Sequence, residues 1–161
     1  GGDILRIRPG EKSEPQGVVQ TPAAEGALGA TLSPDGRWLA YVSDATGQSE
    51  IWVRPYPGPG AAARVSPNGG VEPVWARNGR ELYYFESGKL MAMAVDARAE
   101  FSFKPPTPLF ESIYVRSGQP PSYDVAADGR FLMIKSTARS AMASPLTIVL
   151  NWAEKLRASA R

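Results

Sequence analysis

Three side chains with oxygen ligands recur in the same local setting along the chain. Asp35, Asn78 and Asp128 each stand directly before a glycine, which is followed by an arginine. Carboxylate and amide oxygens bind hard cations, so metal binding is the chemistry open to this set. The same residues before glycine also hydrogen-bond to nearby backbone in tight turns, and no segment has the acidic spacing of an EF-hand calcium loop. The pattern therefore predicts turn residues and no metal site.

The residue types that most enzymes use as bases, thiol nucleophiles or metal ligands are missing. The sequence contains no histidine and no cysteine. Without imidazole, a serine hydrolase loses its usual base and most catalytic zinc sites lose their ligands. Without thiolates, disulfides, cysteine nucleophiles and haem attachment are excluded within this chain. We therefore expect no catalytic residues and no cofactor.

A second group of side chains is better suited to binding. Trp52, Arg54 and Tyr56 alternate along one predicted strand, so they share a face that can meet a protein partner or stack on a base. Glu25 and Glu72 stand near the beginning of the first strands of two predicted sheets, where they can face a central channel. The alternatives are packing between sheets for the aromatic residues and ordinary loop carboxylates for the glutamates. All five remain candidate binding residues.

Charge and hydropathy narrow the classes of partner. The net charge is +2 and the arginines are scattered, so we expect no nucleic-acid partner. Arg37, Arg80 and Arg130, which follow the turn glycines, are expected to reach carboxylates or carbonyls of neighbouring sheets. No apolar run approaches the roughly 18 to 20 residues of a membrane helix, so this segment is not expected to insert into a membrane. The sequence leaves open whether the chain is a piece of a longer protein and which compartment holds it.

One internal repeat supplies the elements that position these residues. Segments 33–41, 76–84 and 126–134 each combine an Asp-Gly or Asn-Gly pair, an arginine and an apolar strand. Each predicts a tight hairpin turn in which glycine supplies a positive φ. The turn glycines lie 43 and then 50 residues apart. This spacing is typical of a four-stranded β-propeller blade of roughly 40 to 50 residues.

The strand pattern predicts an all-β, propeller-type domain of about three tandem antiparallel blades with incomplete terminal blades. The predicted strands are 4–8, 17–20, 28–33, 38–43, 50–54, 64–66, 71–76, 81–86, 90–96, 108–111, 123–126, 131–136 and 146–152, followed by a short helix at 153–158. Residues 1–161 then form one domain with a blade remnant at 1–22, blades at 23–68 and 69–112, an open blade at 113–152 and a tail at 153–161.

Several longer stretches of the sequence resemble the repeat of a known protein family. The runs 32–43 and 50–60, the segment 72–84 and the segment 123–134 resemble the WD40-like, TolB-type propeller repeat, also called PD40-like. Such blades occur in bacterial proteins behind a kinase domain or in TolB-related periplasmic proteins. The resemblance therefore implies a propeller fold and favours a periplasmic or extracytoplasmic location. No kinase motif is present, and Asn78 replaces the usual aspartate of the repeat.

These patterns predict a non-enzymatic module that binds a protein, peptide or envelope component. An alternative is the substrate-gating propeller portion of a prolyl-oligopeptidase-like peptidase, whose catalytic domain this chain lacks. Incomplete blades at both ends also predict self-association, with a homodimer favoured, closing a ring of about six to eight blades. The residues expected at that joint are Ile4, Leu5, Ile7, Ile148, Leu150 and Trp152.

Overall fold

The computed structural model describes residues 2–10, 14–97, 100–111 and 122–134. Every regular element within these ranges is a β-strand, and no helix occurs there. The strands form several antiparallel sheets, none of which closes on itself, so the predicted all-β class is confirmed. The predicted strand 146–152 and the predicted helix 153–158 lie outside the described residues.

A two-stranded terminal hairpin begins the fold. Strand β1 (Ile4–Arg6) pairs with β2 (Gln16–Val19) in antiparallel register, with a bulge after Ile4. Ile4 and Val18 pack against a small apolar cluster that includes Tyr41 of the next sheet. One face of the hairpin is therefore covered by the first sheet.

The first full sheet contains four strands in chain order. They are β3 (Glu25–Leu32), β4 (Trp38–Ser43), β5 (Glu50–Pro55) and β6 (Ala63–Arg64). Strand β3 starts three residues earlier than its sequence pattern predicts, because a bulge carries its pairing with β4 past two glycines with positive φ. The first strand of this sheet is an edge strand.

The second sheet has the same strand order, but two short strands share the outer position beside its third strand. Strands β7 (Val71–Trp75), β8 (Glu81–Glu86) and β9 (Lys89–Asp96) pair in sequence. Two short strands, β10 (Ser102–Phe103) and β11 (Thr107–Glu111), then pair with opposite ends of β9. The sequence pattern predicts only the second of them.

The third sheet has two described strands, β12 (Tyr123–Val125) and β13 (Phe131–Met133). The loop of its hairpin is one residue shorter than the corresponding loops of the first and second sheets. The Ala126 N–H donates to the Arg130 carbonyl, whereas the equivalent bond of the first sheet runs from Ser33 to Trp38. The third repeat therefore keeps the turn but shifts the strand register.

The three repeated turns are otherwise built alike. In each, the side-chain oxygen accepts the backbone N–H of the arginine two residues later, at 3.1 Å for Asp35, 2.8 Å for Asn78 and 3.2 Å for Asp128. The glycine that follows has a φ of +71°, +68° or +82°, respectively, and its N–H closes the turn. The predicted turn role of these three residues is confirmed.

Neighbouring sheets pack face to face in chain order. One apolar cluster joins the terminal hairpin to the first sheet, a second joins the first sheet to the second, and a third joins the second sheet to the third. Their most buried members include Val19 and Tyr41, then Ile51, Val53, Leu82, Tyr84 and Met93, then Phe85, Leu90, Tyr123 and Val125. The core is thus divided into layers between successive sheets.

Candidate functional site

The predicted aromatic and arginine series faces the terminal hairpin. Trp52 and Tyr56 are partly buried against the cluster that contains Tyr41. Arg54 donates from Nη1 to the Val18 carbonyl oxygen at 3.0 Å. The structure therefore brings these three residues together, as the alternation predicts, but on a face that the chain's own hairpin occupies.

Glu25 lies beside the same junction. It is the first residue of β3, its side chain is 4% exposed, and it accepts a hydrogen bond from the Thr21 hydroxyl. Among the described residues, its Oε2 atom has no hydrogen-bond partner, and the same holds for Trp52 Nε1 and Arg54 Nε. Burial raises the pKa of Tyr41; the Arg54 charge opposes this shift and the Glu25 charge adds to it. The junction therefore buries three polar atoms beside its apolar cluster.

Glu72 ties the second sheet to the third. It is 5% exposed and has a φ of +57°, a region that non-glycine residues seldom occupy. Its carboxylate accepts the Ser122 N–H at 2.9 Å and also the Ser122 hydroxyl. Its carbonyl accepts the Tyr123 hydroxyl at 3.0 Å, and burial together with the Glu72 charge raises the pKa of that tyrosine. These bonds fix where the third sheet begins.

A third buried carboxylate was not singled out from the sequence. Glu50, at the start of β5, accepts hydrogen bonds from Thr46 at 2.7 Å and Gln48 at 2.9 Å. Burial alone would raise its pKa, but these bonds and the Arg64 guanidinium 3.4 Å away hold the pKa below its usual value. Glu50 therefore stabilises the loop before β5 by accepting these hydrogen bonds.

The first strands of the three sheets border a cleft of about 300 Å³. Among the described strands, β3, β7 and β12 are edge strands of their sheets, and β7 contacts both β3 and β12. Glu72, Trp75 and Tyr123 contribute to the wall, and an ion pair of 3.4 Å between Arg77 and Asp124 lies beside them. The cleft combines carboxylate, aromatic and backbone groups, which is suited to binding.

A larger groove of about 710 Å³ lies between the first two sheets, beside their repeated turns. One wall carries Arg37, and the other carries Arg80 and Phe103. Sequence reasoning did not predict this groove, because it depends on how two sheets pack. Asn78, which replaces aspartate in the second turn, is part of its lining.

The three repeated arginines differ in what they reach. Arg37 donates from Nη2 to the Ala97 carbonyl of the next sheet at 2.9 Å, as expected. Arg130 instead binds Asp128 within its own turn at 2.8 Å. Between the second and third sheets the link is made by Arg77, which donates to the Val125 carbonyl at 3.3 Å. The residue that bridges two sheets therefore changes along the chain.

The two ends of the described structure expose apolar side chains. Ile4 faces the first sheet, whereas Leu5, its neighbour on the opposite face of β1, is 52% exposed and Ile7 is also exposed. At the other end, Leu132 is 74% exposed and Ile134 is exposed as well. The expected joint residues Ile148, Leu150 and Trp152 lie outside the described residues.

Within the described ranges, no three acidic residues stand close enough to hold a metal ion. In the same part of the chain, no helix is long and apolar enough to cross a membrane. No family model matches the chain, and no curated protein matches its sequence.

Proposed function

We propose that this chain is a non-enzymatic β-propeller-type module that binds a protein or peptide partner and assembles through its end sheets. The observation that carries the proposal is structural repetition, with exposed apolar side chains on the first and last described sheets. Three turns share one hydrogen-bond pattern, and two sheets have the same strand order. Successive sheets pack through separate apolar layers, with their first strands adjacent. Propeller blades have this arrangement.

Assembly follows from the two end sheets. The terminal hairpin and the third sheet each have two described strands, half the number in the first sheet. Their outer faces carry Leu5 and Ile7 at one end and Leu132 and Ile134 at the other. Water-exposed apolar side chains on unpaired sheets favour association. We propose that a second copy packs against these apolar faces in head-to-tail association.

Partner binding is proposed at the cleft between the first strands. Its walls come from edge strands, whose outward backbone groups can pair with an extended peptide. Its volume of about 300 Å³ is at the lower end of the range for ligand pockets. Glu72 and Tyr123 hold two walls of this cleft in fixed relation. The site suits one or two residues of a peptide.

Light scattering behind a sizing column, over a dilution series, tests the assembly. We expect a multiple of the 17.3 kDa chain mass at high concentration. Leu132→Asp should shift the mass to that of a single chain, because a carboxylate would be buried in an apolar contact. Leu109→Asp is the matched control, since Leu109 is exposed on the outer strand β11 and not on an end face. A single-chain mass for the unmodified protein at every concentration would refute the proposed assembly.

A further inference from the structure

The second repeated turn lacks a charge that the other two have. In the first and third turns, the arginine Nε donates to the aspartate Oδ2 at 2.8 Å, in the pairs Arg37–Asp35 and Arg130–Asp128. In the second turn the corresponding residue is Asn78, whose neutral amide accepts only the Arg80 backbone N–H. Within the described residues, the Arg80 guanidinium makes no hydrogen bond or ion pair. Arg80 is therefore an exposed cation without a counter-charge in its turn.

Arg80 lies beside an apolar surface in the groove between the first two sheets. The Val95 N–H donates to the Arg80 carbonyl at 2.9 Å, and Phe103 is paired with Val95 on the other side. Directly opposed residues in an antiparallel sheet share a face, so these three side chains point to the same side. Phe103 is 41% exposed there. The groove thus places a guanidinium and an aromatic ring two strands apart.

The charged lining of the groove has a basic excess. Arg37, Arg80 and Lys104 are basic, whereas Asp35 and Asp96 are acidic. Asp35 already pairs with Arg37. A volume of about 710 Å³ lies well within the usual range for ligand pockets. The groove therefore favours an anionic ligand with an apolar part.

We propose that this groove binds an acidic segment of a peptide or protein partner. Arg80 binds a carboxylate of that segment, because a planar guanidinium matches a carboxylate in a two-point hydrogen bond. Phe103 packs against an apolar side chain next to the acidic residue. The inference rests on the proposed binding function but not on self-association, and it adds a second binding surface to the cleft between the first strands.

Titrations of the full ¹⁵N-labelled chain, followed by NMR, test this site. The probes are the capped peptide GEFEG and its neutral counterpart GQFQG. We expect GEFEG to move the Arg80 Nε–H and Phe103 amide signals and to bind about tenfold more tightly than GQFQG, as expected for a charge-assisted hydrogen bond. Equal binding of the two peptides would overturn the proposal. Displacement of GEFEG by an equal concentration of inorganic phosphate would overturn the peptide assignment.

Three variants locate the contact. Arg80→Gln should abolish the preference for GEFEG. Asn78→Asp should reduce it as well, because it restores the in-turn carboxylate that neutralises the arginine in the other two turns. Arg130→Gln is the matched control and should leave the preference unchanged. An unchanged preference in Arg80→Gln, with a wild-type thermal unfolding curve, would show that the site is wrong.

The molar mass of the same samples separates this inference from the proposed assembly. If the chain associates and GEFEG does not bind, the groove assignment fails alone. If GEFEG binds and the chain remains single at all concentrations, the proposed assembly fails and the groove stands.

Discussion

Asp35 places a charged carboxylate in a turn whose backbone hydrogen bond a neutral asparagine can also make. Its Oδ1 accepts the Arg37 N–H, the same bond that Asn78 makes as a neutral amide. It also accepts the Ser33 hydroxyl at 2.6 Å and pairs with the Arg37 side chain. The Ser33 hydrogen bond is the largest cause, followed by the two Arg37 bonds, of the lowering of the Asp35 pKa to about 2. The folded state therefore favours the ionised carboxylate.

This shift predicts a pH dependence at a single residue. Because the pKa of Asp35 falls on folding from 3.8 to about 2, its contribution is fully present above pH 4 and is lost as pH falls to 2. Asp35→Asn should lower the free energy of unfolding at pH 7 by about 0.5–1 kcal/mol, a value reduced by solvent exposure of the pair. Chemical denaturation at pH 7, 4 and 2 should show the gap between the two proteins narrowing toward pH 2.

Asp124→Asn is the control for that experiment, since Asp124 is exposed and forms a longer ion pair, of 3.4 Å, with Arg77. At pH 7, Asp124→Asn should lower the free energy of unfolding by less than Asp35→Asn does. A gap between wild type and Asp35→Asn that stays constant from pH 7 to pH 2 would contradict the ionic role of Asp35.

The turn residues were predictable from the sequence and the buried carboxylates were not. Asp35 acts within its own turn, so three or four adjacent residues contain the information. Glu72 is buried because Ser122, fifty positions away, supplies its donors. Glu25 and Glu50 likewise depend on the packing around them, and their residue type alone suggests exposure. Long-range partners are what a single sequence does not display.

At the scale of elements, the hairpins depend on glycine. Gly36 has a φ of +71°, and a Cβ added there would meet no atom within 4 Å. The need for glycine at this position is therefore conformational, because a left-handed backbone strains other residues even in open space. The same turn recurs in all three sheets, so its strain-free geometry helps set the register of each first hairpin.

Gly36→Ala should therefore lower the free energy of unfolding by about 1 kcal/mol through backbone strain alone. Gly36→Asn is the matched variant, since asparagine tolerates this region better and should lose less. Denaturant unfolding of the three proteins measures both differences. Equal losses of unfolding free energy for alanine and asparagine would contradict backbone strain as the cause, because asparagine adopts a positive φ more readily.

Most strands were predictable because turn residues and apolar runs mark their ends. Strands β4 and β8 begin and end where the pattern predicts. The early start of β3 was missed because a bulge extends its pairing through glycines that look like a loop. Strand β10 was missed because two residues give no periodic signal, and only the free end of β9 recruits them. The missed features are set by a partner strand.

At the scale of the molecule, stability is distributed over layers between sheets. The layer between the first and second sheets contains the largest fully buried side chain, Tyr84, and also buries Ile51 and Met93. The third sheet is attached by a smaller layer around Phe131, whose ring lies 4.9 Å from Tyr83 and 5.9 Å from Phe110 in edge contacts. Because neighbouring layers share few residues, we expect local opening at the third sheet to cost less than global unfolding.

Phe131→Ala tests this layered stability. It removes the ring that joins β13 to the second sheet, so the attachment of the third sheet should weaken by about 2 kcal/mol, less than for a fully buried phenylalanine. Hydrogen exchange should then accelerate at 123–133 and remain unchanged at 38–55, which lies two layers away. Arg130→Ala, in the adjacent exposed position, removes only an exposed ion pair and should leave both segments as in the wild type. Equal acceleration in both segments would mean that the sheets unfold together, as expected of a single cooperative core and not of a series of stacked sheets.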